Sequence, residues 1–115
     1  MTVCAKTAIR AFKYVKNGYD AEAAWRKAIC EFTASSHYRN KNCPRVAFCG
    51  LMSHDNKWNR TENAINARRA LDVLRNNPDR KFTNRELWSI IGNASKSHDG
   101  QMDVVLALWD NKLIR

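Results

Sequence analysis

The sequence predicts an all-α fold of about six helices in one compact domain. Apolar residues recur at helical spacing along most of the 115-residue chain. Capping residues and helix-stop signals divide these stretches at regular intervals. Only 4 Gly and 2 Pro are present, which is too few for a turn-rich β-sandwich. The length fits a single domain, 1–115, with enough chain to bury a modest core.

The first two helices should form an antiparallel hairpin. Residues 3–17 carry one apolar stripe, formed by Ala5, Ala8, Ile9, Phe12 and Val15. Asn17-Gly18 provides the stop, and Asp20 is a good N-cap for the second helix. The stripe of that helix comprises Ala21, Ala24, Trp25, Ala28, Ile29 and Phe32.

The third helix should be central and buried. It follows a polar loop, Ser35 to Asn42, and begins at Cys43-Pro44 because proline fits the first helical turn. As far as Met52 it is apolar on nearly every face, which is typical of a buried helix. Gly50 predicts close approach by another helix. Ser53 to Arg60 forms a second polar loop.

Residues 61–115 should form a three-helix unit, which follows the hairpin and buried helix of residues 1–60 in the sequence. Thr61 caps the fourth helix, whose register is set by Ala64, Ile65, Ala67, Arg68, Leu71 and Leu74. Thr83 and Glu86 make a capping box for a fifth helix over 84–91, which Gly92 ends. The sixth helix, 101–110, should point Met102, Val105, Leu106 and Trp109 inward.

The order of elements over residues 82–115 resembles a helix-turn-helix unit of the winged type. A DNA-reading helix places Arg, Lys, Asn or Gln in the major groove. Here the last helix offers Gln101, Asp103 and Asp110, and it contains no Lys or Arg before Lys112. A structural role with both carboxylates facing solvent is therefore favoured, and a recognition helix remains the alternative.

Two segments carry a resemblance to a known family. Cys43-Pro44-Arg45-Val46-Ala47-Phe48-Cys49-Gly50-Leu51 and Gln101-Met102-Asp103-Val104-Val105-Leu106-Ala107-Leu108-Trp109 resemble signatures of an uncharacterised family of small helical bacterial and phage proteins. The resemblance spans about residues 20–110. It implies a compact helical domain and carries over no catalytic residue.

The charge of the chain favours an anionic partner. The net charge is +9; residues 1–60 hold 11 Lys and Arg against 4 Asp and Glu, a balance of +7. Basic side chains neutralise phosphates, and aromatic rings stack on unpaired bases. Candidate binding residues fall in three clusters: His37, Tyr38, Arg39, Lys41 and Arg45; Lys57, Trp58 and Arg60; Arg68 and Arg69. Trp58 could instead fold inward.

No catalytic, metal or cofactor site is predicted. Cys43 and Cys49 are separated by five residues, which is more than structural zinc sites favour, so a set with His37 and His54 is rejected. Ser53-His54-Asp55 and Ser97-His98-Asp99 contain the three residue types of a catalytic triad, but triads form from residues distant in sequence. Two weaker alternatives are general acid–base catalysis, by Glu31 with His37 or by Asp55 with His54, and Cys43 as a nucleophile. Cys4, Cys30 and Cys49 should be buried free thiols.

The preferred function is that of a non-enzymatic, cytoplasmic binding protein acting on nucleic acid or a nucleoprotein complex. Neither a run of about 20 apolar residues nor the layout of a signal peptide occurs. A phage or mobile-element inhibitor of a host defence system, such as an anti-CRISPR, or a regulator would fit these features. The alternatives are an adaptor for an acidic protein and, less favoured, a small nuclease using His37 or His54.

Overall fold

The computed structural model describes residues 1–53, 56–92 and 100–115, and over these ranges the chain is helical without a strand. The elements are α1 (Val3–Lys16), α2 (Ala21–Phe32), α3 (Ser36–Arg39), α4 (Asn42–Met52), α5 (Asn56–Asn59), α6 (Glu62–Asn76), α7 (Asn84–Ile90) and α8 (Gln101–Asp110). The all-α prediction is confirmed. In this part of the chain no helix combines the length and the apolar character needed to cross a bilayer.

The helix boundaries follow from the capping residues that the sequence contains. The Asp20 carboxylate accepts a hydrogen bond of 2.9 Å from the Ala23 amide at the start of α2. The Thr61 hydroxyl caps α6, and Thr83 with Glu86 forms the complete capping box of α7. Each cap satisfies amides that the first turn of a helix leaves unpaired.

Helices α4 and α8 occupy the middle of the fold. Helix α8 packs against α1, α4, α6 and α7, and α4 also contacts α2. One core joins the α1–α2 hairpin to α4 and α8, around the fully buried Trp25 and Phe48. A second core joins α6 and α7 to the other faces of α4 and α8, around Leu74 and Leu87. The prediction of a buried helix before Met52 is confirmed.

Gly50 permits the close approach of a second helix, as sequence analysis predicted. Helix α6 crosses α4 at this residue, and a β-carbon placed on Gly50 would lie 2.8 Å from the Cα atom of Ala64. Real β-carbons essentially never approach other heavy atoms so closely. A side chain at position 50 would therefore push the two helices apart.

Both predicted polar loops contain a helical turn. The Ser35 hydroxyl caps α3, and the Arg39 guanidinium donates a 2.8 Å hydrogen bond to the Thr33 carbonyl, so local polar contacts close this turn. Before α6, Thr61 donates a hydrogen bond of 2.8 Å to the Trp58 carbonyl of α5. Residues 54 and 55 of the second loop lie outside the described ranges.

The last helix is more deeply buried than a surface recognition helix would be. Seven of its ten residues are buried: Gln101, Met102, Val104, Val105, Leu106, Ala107 and Leu108. Of the two carboxylates expected to face solvent, Asp110 is exposed and Asp103 is partly exposed, and the Asp103 carboxylate also accepts hydrogen bonds from Thr2 and Asn84. Trp109 is only partly buried. On α6, Ile65 was expected in the buried register but is 40% exposed.

Candidate nucleic-acid interface

The three predicted basic clusters are carried by elements that pack on different helices. Helix α3, which carries His37, Tyr38 and Arg39, packs against α2. Helix α5, which carries Lys57 and Trp58, contacts α4 and α6 instead. Within the described ranges α3 and α5 do not contact each other. The cluster on α3 and the cluster on α5 and α6 are therefore described as separate candidate sites.

Two of the predicted binding arginines act inside the fold. Arg45 is 8% exposed, with its Nε atom 3.9 Å from the Glu22 carboxylate and a hydrogen bond from its guanidinium to Asn42. Arg68 is half-buried, and its Nε donates a 3.0 Å hydrogen bond to the Gly50 carbonyl. The placement of Arg45 in an exposed cluster was wrong, because the packing of α2 on α4 covers it.

The cluster on α3 presents an exposed aromatic ring beside cations. Tyr38 is 43% exposed, and the Lys41 ammonium lies 5.9 Å from the centre of its ring. The His37 ring meets the Tyr38 ring edge-on at 5.7 Å. Arg39 is held by its bond to Thr33. The arrangement leaves the Tyr38 ring accessible for stacking.

The cluster on α5 and α6 is anchored to the core through its tryptophan. Trp58 is half-buried and packs against the first core, while Lys57 lies 4.7 Å from the centre of its ring. Arg60 and Arg69 are exposed. Because Trp58 is partly folded inward, this cluster offers cations and less aromatic surface than the α3 cluster.

The structure adds a group of residues on the α1–α2 hairpin that sequence analysis did not select. The Arg10 guanidinium lies 4.9 Å from the centre of the Tyr14 ring, and Lys27 lies 5.4 Å from it. Lys27 also lies 5.9 Å from the ring of Tyr19, which is 42% exposed. Cation–π contacts of this kind hold long basic side chains in place.

The acidic member of this group is Glu31, which accepts a 2.6 Å hydrogen bond from the Tyr14 hydroxyl and pairs with Arg10 at 3.2 Å. The Tyr14 hydrogen bond is the main cause that lowers the pKa of Glu31. The interaction of the Arg10 guanidinium with the Tyr14 hydroxyl is the main cause that raises the pKa of Arg10, and the Glu31 charge adds to it. Both groups are therefore charged at neutral pH, and Glu31 neutralises part of the local positive charge.

We call the surface that follows the exposed side of α2 the basic strip. It comprises Arg10, Tyr14, Tyr19, Arg26, Lys27, Tyr38, Arg39 and Lys41. Arg26 and Arg39 line one shallow groove of about 330 Å³ between α2 and α3, which connects the hairpin to the α3 cluster. Glu22 lies 4.0 Å from Arg26 and reduces its charge. The twelve residues of α2 span about 18 Å, with an exposed tyrosine beyond each end.

Spacing in the sequence contained a signal for this strip. Arg10 and Tyr14 are four residues apart on α1, as are Lys27 and Glu31 on α2, so each pair shares a helix face. The hairpin connection then places the two faces side by side.

The thiols do not belong to a metal-binding cluster in the part of the chain described. Cys4 and Cys49 are buried as predicted, and burial raises the pKa of the Cys49 thiol to about 12. Cys30 was expected to be buried but is exposed, in the groove beside Arg26. Among described residues no three metal-binding side chains converge. His54, Asp55 and the Ser97-His98-Asp99 segment lie outside the described ranges.

Comparison with known proteins shows one family relationship. No curated protein and no solved structure shows significant similarity to the chain. The model of a family of unknown function (DUF6979) matches residues 1–115, the whole chain. Since the match leaves no part of the sequence uncovered, the chain belongs to this family of unknown function.

Proposed function

We propose that the protein is a non-enzymatic nucleic-acid-binding protein that holds a single strand along the basic strip. The observation that carries this proposal is the placement of exposed Tyr19 before α2 and exposed Tyr38 after it, with the exposed cations Arg26 and Lys27 on the helix between them. Cations neutralise backbone phosphates, and tyrosine rings stack on unpaired bases whatever their identity. A duplex hides its base faces, so the strip favours a single strand.

The last helix contributes to this function only through the fold. Its face toward α1 and its face toward α6 are buried, and its partly exposed residues include Asp103 and Trp109. Major-groove readout needs an exposed helix face with donors for base edges. Sequence preference is therefore expected to be weak, because stacking and phosphate contacts do not depend on base identity.

Salt-dependent binding of a labelled single-stranded oligonucleotide tests the proposal. Each phosphate that a cation neutralises contributes about 0.7 to the slope of log affinity against log salt concentration on a single strand. Arg26→Gln should lower that slope by about this amount and weaken binding at low salt. The matched control is Arg85→Gln, which removes one exposed charge from α7, away from the strip. It should leave the slope unchanged.

Tyr38→Ala separates stacking from charge. It should weaken binding by about 1–3 kcal/mol, the usual worth of one stacked base, while the salt slope stays the same. If Arg26→Gln and Arg85→Gln weaken oligonucleotide binding equally, binding depends only on the overall charge of the protein and not on the basic strip. Binding to polyglutamate as tightly as to the oligonucleotide would favour the other candidate function, an adaptor for an acidic protein.

A further inference from the structure

A basic cleft, separate from the groove between α2 and α3, lies in the C-terminal half of the chain. It is formed by the end of α6, the connector to α7 and the last turn of α8. The cleft is open to solvent and has a volume of about 700 Å³, within the range of small-molecule sites. Trp109, which is partly buried against the second core, lines the cleft. The cleft shares no residue with the basic strip.

The charge of the cleft is mainly positive. Its lining includes five basic side chains and two carboxylates: Arg75, Arg80, Lys81, Lys112 and Arg115 against Asp79 and Asp110. Arg75 lies 3.6 Å from Asp72, and Arg80 lies 3.6 Å from Glu86, so these two arginines are partly neutralised. Lys81 and Lys112 form no ion pair with any described residue. Two ammonium groups thus remain for an anionic ligand.

The backbone at Lys112 is unusual for a lysine. Its φ angle is 59°, in the left-handed region that normally favours glycine. The Leu113 amide bonds the Leu108 carbonyl at 2.9 Å, and the Lys112 amide bonds the Trp109 carbonyl at 3.0 Å. This is a Schellman motif, in which glycine usually occupies the position of Lys112. The chain therefore carries a cation at the cleft where backbone geometry alone would select glycine.

We propose that this cleft binds a nucleotide, with the base against Trp109 and the phosphate between Lys81 and Lys112. An indole face accepts an aromatic base, and paired basic side chains accept a phosphate. The carboxylates of Asp79 and Asp110 in the cleft lining can accept hydrogen bonds from ribose hydroxyls or exocyclic amines. The ligand is either a free mononucleotide or the phosphorylated end of a strand.

Isothermal titration of the full chain with adenosine monophosphate, adenosine and inorganic phosphate tests the proposal. The monophosphate should bind about tenfold more tightly than either part alone, because both contacts must be made together. Lys112→Gly removes the ammonium and relaxes the backbone, so the melting temperature should stay the same or rise. Affinity for the monophosphate should nevertheless fall about fivefold, as expected for one partly screened charge contact.

Arg85→Ala is the control, since it removes one exposed charge outside the cleft. It should leave the affinity for adenosine monophosphate unchanged. Failure of the monophosphate to bind at millimolar concentration, or equal weakening by Lys112→Gly and Arg85→Ala, would overturn the proposal. Phosphate binding as tightly as the monophosphate would also overturn it, by removing the role of Trp109.

The source of the nucleotide follows from a second pair of probes. Short oligonucleotides with a 5′-phosphate or a 5′-hydroxyl are titrated into the wild type and Lys112→Gly. If Lys112→Gly lowers the affinity for the phosphorylated strand alone, the cleft binds strand ends. Equal effects on both strands, with a loss for the monophosphate, assign it to free nucleotides.

Discussion

Replacing Gly50 by alanine tests the helix crossing at the centre of the fold. The added methyl would lie 2.8 Å from the Cα atom of Ala64, and backbone cannot move aside as a flexible side chain can. Overpacking of a well-packed core costs about 1–3 kcal/mol. Alanine also favours a helix over glycine by about 1 kcal/mol, which offsets part of this cost.

The net expectation for Gly50→Ala is a loss of about 1–2 kcal/mol in the free energy of unfolding, taken from the upper part of the overpacking range. For a chain of this size that lowers the melting temperature by about 4 °C for each kcal/mol. Urea denaturation followed by tryptophan fluorescence measures the change, because Trp25 and Trp88 lie one in each core.

A double-mutant cycle identifies the clash as the cause. Ala64→Gly removes the methyl nearest to the added one, so the double variant should recover about 1 kcal/mol relative to the sum of the single changes. Ala64→Gly alone should cost about 1 kcal/mol of helix propensity and about 1 kcal/mol more for the buried methyl that it removes. Gly50→Ala that stabilises the protein, or single effects that add within about 0.3 kcal/mol, would refute the proposed packing.

Three further predictions concern the core, the thiols and the cap of α7. Phe48→Ala should cost about 3–5 kcal/mol in urea denaturation, because the ring is fully buried; a loss below about 1 kcal/mol would contradict that placement. In the native protein a thiol reagent should modify Cys30 faster than the buried Cys4 and Cys49, and Cys30→Ser should abolish the fast phase. Hydrogen bonds with Thr83 lower the pKa of Glu86 from 4.5, so its contribution is present above that pH and is lost as the pH falls below it. Glu86→Gln should reduce this acid-dependent part of the melting temperature, and an unchanged pH profile would contradict it.

Local chemistry made much of the fold predictable. The caps at Asp20, Thr61 and Thr83 act within four residues, so their positions in the sequence fix the starts of α2, α6 and α7. The close approach at Gly50 was also readable, because a glycine within an apolar helix has few other reasons to be there.

The candidate site was less predictable because it depends on contacts between distant residues. Arg45 is an ordinary cation in the sequence, and only the packing of α2 on α4 pairs it with Glu22 and buries it. Cys30 has apolar neighbours in the chain but lies on the outer side of the hairpin. Likewise, Tyr14 meets Lys27 only through the register of α1 against α2, which no local pattern fixes.

The most direct test of the basic strip is a nuclear magnetic resonance titration of the full chain with a short single-stranded oligonucleotide. Amide resonances along α1, α2 and α3 should shift together, among them those of Tyr19, Arg26 and Tyr38. They should return to their starting positions as the salt concentration is raised. Shifts confined to α5–α8, or an absence of shifts at low salt, would contradict the proposal that this surface binds nucleic acid.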